Sequence, residues 1–212
     1  MSAEDEKRLA AEAAASLVED GMLVGLGTGS TVAWFLPALA RRGLRLRCVA
    51  TSLQTENSAR ELGLAVEPFD ELERLDIAVD GADQIAPDGW VVKGGGAAHT
   101  REKVVAAAAD RFVVIASSDK LVEAIGPPIP LEILLYGARA TLARCAPAEL
   151  RDVAPSPDGG LIADHLGPVD DPRELADRLS AVPGVVEHGL FAPELVSEVI
   201  VGRDGAVERL GG

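Results

Sequence analysis

Short aliphatic runs recur through the first 120 residues, each closing in a polar or glycine-rich loop, and most of those loops open a helix-forming stretch. Residues 22–26 run into Gly27-Thr28-Gly29-Ser30-Thr31, with a helix expected over Val32–Ala40. Residues 46–50 lead through Thr51-Ser52 to a helix near residues 53–62. Residues 77–79 end in Asp80-Gly81-Ala82-Asp83, and a short extended piece at 90–92 ends in Lys93-Gly94-Gly95-Gly96 before a helix over 97–109. Residues 112–116 close in Ser117-Ser118-Asp119-Lys120. A helix precedes the first strand, with Leu9, Ala13, Leu17 and Val18 on one face and Asp20-Gly21 as its expected end. Repeated strand–loop–helix units specify an α/β fold, a doubly wound parallel sheet. In such sheets ligands bind beyond the carboxyl ends of the strands, and every loop here with chemical potential stands at such an end.

The pattern changes after Lys120. Gly126-Pro127-Pro128-Ile129-Pro130 marks a crossing. The order from there to about residue 192 reads strand, helix (near 138–145), strand, turn at 156–160, strand, helix (172–179) and strand (185–190). That βαββαβ order is ferredoxin-like. Residues 196–202 are expected to return as a strand of the main sheet. The domains are therefore drawn as 1–127, with the sheet completed by about 194–212, and a small α+β lid over 128–193.

Each loop has a plain reading and a chemical one. Gly27–Thr31 combines glycines, hydroxyls and a helix N-terminus, the parts of a phosphate cradle. It lacks the Gly-Lys-Ser/Thr of a Walker loop and the full dinucleotide fingerprint, so an ordinary capped turn remains open. Asp80 and Asp83 are either turn-capping carboxylates or a pair that orients hydroxyls and moves protons. Metal fits less well, because no His lies nearby in sequence and Lys93 follows. Three glycines beside Lys93 read as backbone brought against a ligand with a fixed positive charge, or as a solvated loop. Glu102, in the first turns of the next helix, is a solvated acid helped by the helix dipole or a base following the glycine loop. His99 shares its face and reads most simply as a surface or hydrogen-bonded histidine; His165 and His188 read as structural or exposed.

Composition excludes several classes. A net charge of −14 repels nucleic acid and anionic lipid, and aromatics at 3% leave little for base stacking. An anionic substrate would need a local pocket of donors. Cys48 and Cys145 are too few and too far apart for a disulfide framework or a zinc site. The first twenty residues are charged and amphipathic, unlike a signal peptide, and no apolar run approaches the ~20 residues of a membrane span. A cytoplasmic location is expected.

Taken together, GLGTGSTV, TSLQT, DIAVDGADQI, VVKGGGAAHTREK and SSDK stand in the order and spacing of type A ribose-5-phosphate isomerase, which the chain resembles. The likeness covers residues 3–145 well and returns around 182–202; between 146 and 181 it is loose. It implies a Rossmann-like main domain, a ferredoxin-like lid, no cofactor, no metal, and a homodimer or homotetramer acting on a small sugar phosphate. It implies that Glu102 is the base. Asp80, Gly81, Ala82, Asp83 and Lys93, with Gly94, Gly95 and Gly96, would hold the sugar, and Thr28, Gly29, Ser30 and Thr31, with Lys120 and Lys7, the phosphate. Catalytic roles fall to Glu102, Asp80, Lys93 and Asp83. Gln84, His99 and a short, Pro-rich lid depart from the family pattern without removing any of these residues. Two rivals share the superfamily. An amino-sugar-phosphate deaminase would need an acid–base set not visible here, and a sugar-sensing regulator would need a DNA-reading helix-turn-helix.

Overall fold

A computed structural model describes residues 2–211; Met1 and Gly212, the outermost residues of the ranges drawn above, lie outside it. The chain divides into two compact units. The first is Met1–Ala82 with Arg101–Lys120 and Glu194–Gly212, and the second is Asp83–Thr100 with Leu121–Pro193.

The first unit is built on a six-stranded sheet. Its strands are β1 (Leu23–Leu26), β2 (Arg47–Ala50), β3 (Ile77–Asp80), β6 (Phe112–Ser117), β12 (Glu198–Arg203) and β13 (Ala206–Gly211), in the order β13-β12-β6-β3-β1-β2. All neighbours are parallel except the β12–β13 hairpin. The strands are short and aliphatic because the core covers them, as a parallel sheet requires. The returning strand at the C-terminal end is β12, paired with β6. Its antiparallel partner β13, mostly exposed, has no counterpart in the sequence reading.

Helix α1 (Ala3–Ala15) starts in a capping box between Ser2 and Asp5 and lays Ala10, Ala11, Ala14 and Ala15 into the core. It stops five residues before the expected Asp20. The Arg42 guanidinium donates to the carbonyls of Ala15 and Val18, drawing the chain into a tighter turn through Leu17 and Val18. Helices α2 (Val32–Ala40) and α3 (Leu53–Glu61) follow β1 and β2, and Ser52 caps α3 by accepting from Thr55 N. Helix α4 (His99–Ala108) begins in the second unit and continues in the first.

The second unit carries two small antiparallel sheets. One has three strands, β4 (Gln84–Ile85), β5 (Val91–Val92) and β11 (Leu190–Phe191), in the order β11-β5-β4. The other has β7 (Ile129–Ile133), β8 (Ala148–Leu150), β9 (Leu161–His165) and β10 (Val185–His188), in the order β10-β7-β9-β8. With α5 (Ala138–Arg144) and α6 (Pro172–Ser180), this is the ferredoxin-like arrangement. Ile129, Leu131, Ile133 and Ala163 share a core with Leu175 and Leu179 of α6. Placing Asp83–Thr100 here moves the boundary drawn along the sequence. The cause is antiparallel pairing of β5 with both β4 and β11, the latter contributed by residues about a hundred positions later.

Candidate active site

In the first unit, the Gly27–Thr31 loop leaves β1 and enters α2. Asp80, at the end of neighbouring β3, is buried, and its Oδ1 accepts from Thr28 N at 3.0 Å and from Gly81 N at 2.7 Å. This requires glycine at 27, since a β-carbon there would lie 2.0 Å from Asp80 Cγ. The Thr28 hydroxyl lies within a hydroxyl cluster, 2.8 Å from Thr51 Oγ1, 2.9 Å from Ser52 Oγ and 3.3 Å from Thr55 Oγ1. Thr55 Oγ1 in turn donates to Gly27 O at 2.8 Å. Thr28 thus pins the loop with both its amide and its hydroxyl. Gly29 and Ser30 are exposed, Gly29 has φ +127°, and Thr31 is buried at the N-cap of α2. No acidic residue stands in the first turn of α2 to offset its dipole.

Lys120 closes a short 3-10 turn, Ser118–Lys120, with Nζ 3.2 Å from the Asp119 carboxylate. Glu6, buried on α1, fixes that turn by accepting from Ser118 N at 2.9 Å and Ser118 Oγ at 2.7 Å. These bonds, the side-chain one foremost, hold the Glu6 carboxyl below its ordinary range. Lys7 pairs with Glu4 at 2.7 Å and is itself largely covered. Glu102, in the first turn of α4, is only 4% exposed, so it is not the solvated helix-start acid of the plainer reading.

In the second unit, Lys93 follows β5 and is buried, with its Nζ 5.7 Å from the centre of the Phe191 ring. Its amide donates to Gly189 O at 2.9 Å. Gly94 has φ +113°, and a β-carbon there would meet Pro130 Cβ at 2.7 Å and His99 Nδ1 at 2.8 Å. Gly95 N donates to Asp83 Oδ2 at 2.8 Å. The two aspartates therefore serve different elements: Asp80 holds the Thr28 loop and Asp83 the glycine loop. Gly81 is buried beside Asp80, and Ala82 is partly covered. Gly96 is exposed. His99 is fully buried against Gly94 rather than at the surface. Gln84 exchanges two hydrogen bonds with the Gly126 backbone, at 2.8 and 2.9 Å.

Three residues here have no counterpart in the sequence reading. Arg151 donates to Gly94 O at 2.8 Å and holds Asp164 through two bonds of 2.6 Å. Glu132, buried in β7, accepts from the hydroxyls of Thr100 and Ser156. The only signal for Glu132 was an acid inside an aliphatic strand; Arg151 and Asp164 lay where the family likeness was loose.

The remaining histidines are structural. His165 Nδ1 is 2.7 Å from Cys145 O, and His188 Nε2 is 3.1 Å from Ser180 Oγ. Both cysteines are free and buried, and burial pushes the Cys48 thiol up to about 12 and raises that of Cys145, so neither is poised as a nucleophile. Among the described residues, no group of three or more His, Cys, Asp or Glu side chains is placed to hold a metal ion.

Comparison with known proteins gives these features a family. The model for ribose 5-phosphate isomerase A (phosphoriboisomerase A) matches residues 47–205. Ribose-5-phosphate isomerase A of Caulobacter vibrioides is 48% identical over 226 aligned positions, covering 99% of each chain. The solved structure of ribose 5-phosphate isomerase A from Methanocaldococcus jannaschii superposes with a TM-score of 0.93 at 35% identity, covering all of both chains. A D-ribose-5-phosphate isomerase in complex with phospho-erythronic acid superposes equally well, at 34% identity and full coverage. The class so defined is an isomerase of α/β fold. Within it, the chain belongs to the ribose 5-phosphate isomerase A family.

Proposed function

We propose that this chain interconverts D-ribose 5-phosphate and D-ribulose 5-phosphate through an enediolate, without metal or cofactor, with Glu102 as the base. The observation that carries this reading is the burial of Glu102 directly after the glycine loop, in a chain whose relatives bear this activity in name. Removing a carboxylate from water is costly, and such costs concentrate where charge has a task.

In this reading the sugar ring opens first, with Asp80, or secondarily Asp83, handling the hydroxyl protons. Glu102 takes the proton from C2 of the open aldose. The C–H electrons form the C1–C2 double bond and O1 gains negative charge. Lys93 stabilises that oxyanion as it develops. A proton passes from O2 to O1, Glu102 returns its proton to C1, and C2 becomes the carbonyl. One carboxylate serves both transfers because C1 and C2 are adjacent. The phosphate sits at the N-terminus of α2, on Gly29, Ser30 and Thr31, with Lys120 and Lys7 nearby in function and Thr28 holding the loop. Gly81, Ala82 and Gly94 to Gly96 line the sugar.

A cytoplasmic homodimer or homotetramer completes the proposal. It is supported by buried, reduced cysteines and by an exposed Leu134-Leu135-Tyr136 segment, Tyr136 being 92% exposed. No helix among the described residues is long and apolar enough to cross a membrane. The deciding experiment is a coupled assay of ketose formation from ribose 5-phosphate and from free ribose. We expect kcat/KM on ribose to be lower by at least ~10³, corresponding to roughly 4 kcal/mol of binding energy drawn from the phosphate. Absence of turnover on ribose 5-phosphate refutes the activity, and comparable efficiency on both sugars refutes the phosphate cradle.

A further inference from the structure

The four-stranded sheet of the second unit has two unlike faces. Ile129, Leu131, Ile133 and Ala163 point into the core shared with α6. Side chains alternate along strands, so Pro130 and Glu132 of β7 and Ile162 and Asp164 of β9 point the other way. Register places Pro130 opposite Asp164 and Glu132 opposite Ile162. Arg151, just past β8, joins the same face, its amide donating to Ile162 O at 2.9 Å and its guanidinium gripping Asp164. Three of these residues touch the segment from Lys93 to Thr100. Arg151 donates to Gly94 O, Pro130 packs within 2.7 Å of where a Gly94 β-carbon would stand, and Glu132 accepts from the Thr100 hydroxyl. Asp83 adds a fourth hold at Gly95 N.

From this we infer that Arg151, fixed by Asp164, and Glu132 are positioning residues that clamp the two ends of the Lys93–Thr100 segment. They thereby set the places of the Lys93 ammonium and of the first turn of the helix carrying Glu102. The inference rests on the roles proposed above for Lys93 and Glu102. The physical grounds are independent of them. A segment with three glycines and a left-handed Ala97 (φ 60°) has little intrinsic preference for one conformation. Its order must come from outside, and the partners are the kind that impose direction. A bidentate guanidinium–carboxylate pair is planar and fixed, so the nitrogen left out of the pair, here Nη1, points one way. Glu132 is buried with a hydroxyl on each carboxylate oxygen, which ties Thr100 to Ser156 in the turn beyond. Gly160 leaves room for that carboxylate, since a β-carbon there would lie 2.2 Å from Glu132 Oε1. The small sheet is thus a template for the reacting segment.

The test compares Arg151→Met, Arg151→Lys, Glu132→Gln and, as reference, Lys93→Ala, by steady-state kinetics, thermal melting and amide hydrogen exchange resolved to peptides. Displacing reacting groups by an ångström or less typically costs ~10- to 100-fold in rate. Arg151→Met should therefore lose kcat in that range with KM within about threefold of wild type. Exchange should rise in the peptide spanning residues 93–100 and not across the rest of the unit. Arg151→Lys, which keeps the charge and loses the fork, should fall in between. If Arg151→Met does not fold, Arg151→Lys and Glu132→Gln are judged by the same criteria. Wild-type kcat in a folded Arg151 variant, or exchange rising evenly over the unit, overturns the inference. Lys93→Ala separates the two levels. If it retains full kcat while Arg151→Met loses it selectively, the clamp stands and the role of Lys93 falls; if the reverse, the clamp falls and the role of Lys93 stands.

Discussion

Replacing Gly27 by alanine probes the fit between the Thr28 loop and Asp80. The new β-carbon would stand 2.0 Å from Asp80 Cγ and 2.1 Å from Oδ1. Ordinary contact needs ~3.5 Å, so carboxylate and loop must part by roughly 1.5 Å. The bond from Thr28 N at 3.0 Å would then stretch past bonding range, and that from Gly81 N at 2.7 Å would go with it where the carboxylate, rather than the loop, gives way. Each hydrogen bond to a charged group contributes ~1.5–3 kcal/mol. Allowing partial repair by rotation of Asp80, we expect a loss of about 2–4 kcal/mol. At ~2–4 °C per kcal/mol for a chain of this size, Tm should fall by roughly 4–16 °C. Differential scanning calorimetry at neutral pH measures this, with Gly126→Ala as the control. Gly126 has no heavy atom within 4 Å of its would-be β-carbon and no positive φ, so that change should stay within about 0.5 kcal/mol. Because the same loop is assigned to the phosphate, KM for ribose 5-phosphate should also rise. A Gly27→Ala protein that melts with wild type and binds substrate normally would refute the packing argument.

Lys93→Ala should lower kcat by ~10²–10³ with a smaller change in KM, because an ammonium meets its strongest partner only when the enediolate forms. An unchanged kcat with a raised KM would mean that Lys93 binds ground-state substrate alone. The Glu6 carboxyl titrates below its ordinary value of 4.5 when folded, chiefly through Ser118. A depressed folded value means that the stability it contributes is complete above the unfolded value and is lost as pH falls through the folded one. Glu6→Gln should therefore melt lower than wild type at pH 7, and the gap should narrow as pH drops below about 4.5; a gap constant from pH 7 to 3 contradicts this.

The loops were legible because their chemistry is local. Gly27 to Thr31, Asp80 to Asp83 and Lys93 to Gly96 stand out as candidates by residue type and neighbours and Glu102 through the family resemblance, and helix Val32–Ala40 falls where its pattern placed it. What escaped depends on distant partners. The end of α1 is set by Arg42, more than twenty residues on. Strands β4 and β11 are two residues each, too short for any period to show. The association of residues 83–100 with the small unit depends on Leu190 and Phe191. The burial of His99 depends on Gly94 folding over it. Arg151, Asp164 and Glu132 are single polar residues whose partners become visible only once the sheet register is known.

Glu102 is proposed to move the proton between C2 and C1. Glu102→Gln tests it most directly, since glutamine keeps the size and helix preference of glutamate and cannot accept a proton at neutral pH. The measurement is loss or transfer of the C2 deuterium of labelled ribose 5-phosphate, followed alongside ketose formation. The wild type should wash the label into water or carry it to C1. The folded variant should do neither, with kcat down by at least ~10²–10⁴, while still binding phospho-erythronic acid, the ligand present in the relative's structure. If it keeps more than about a tenth of wild-type kcat and still mobilises the label, against the cost of losing a general base, Glu102 is not the base, and Asp80 becomes the group to test.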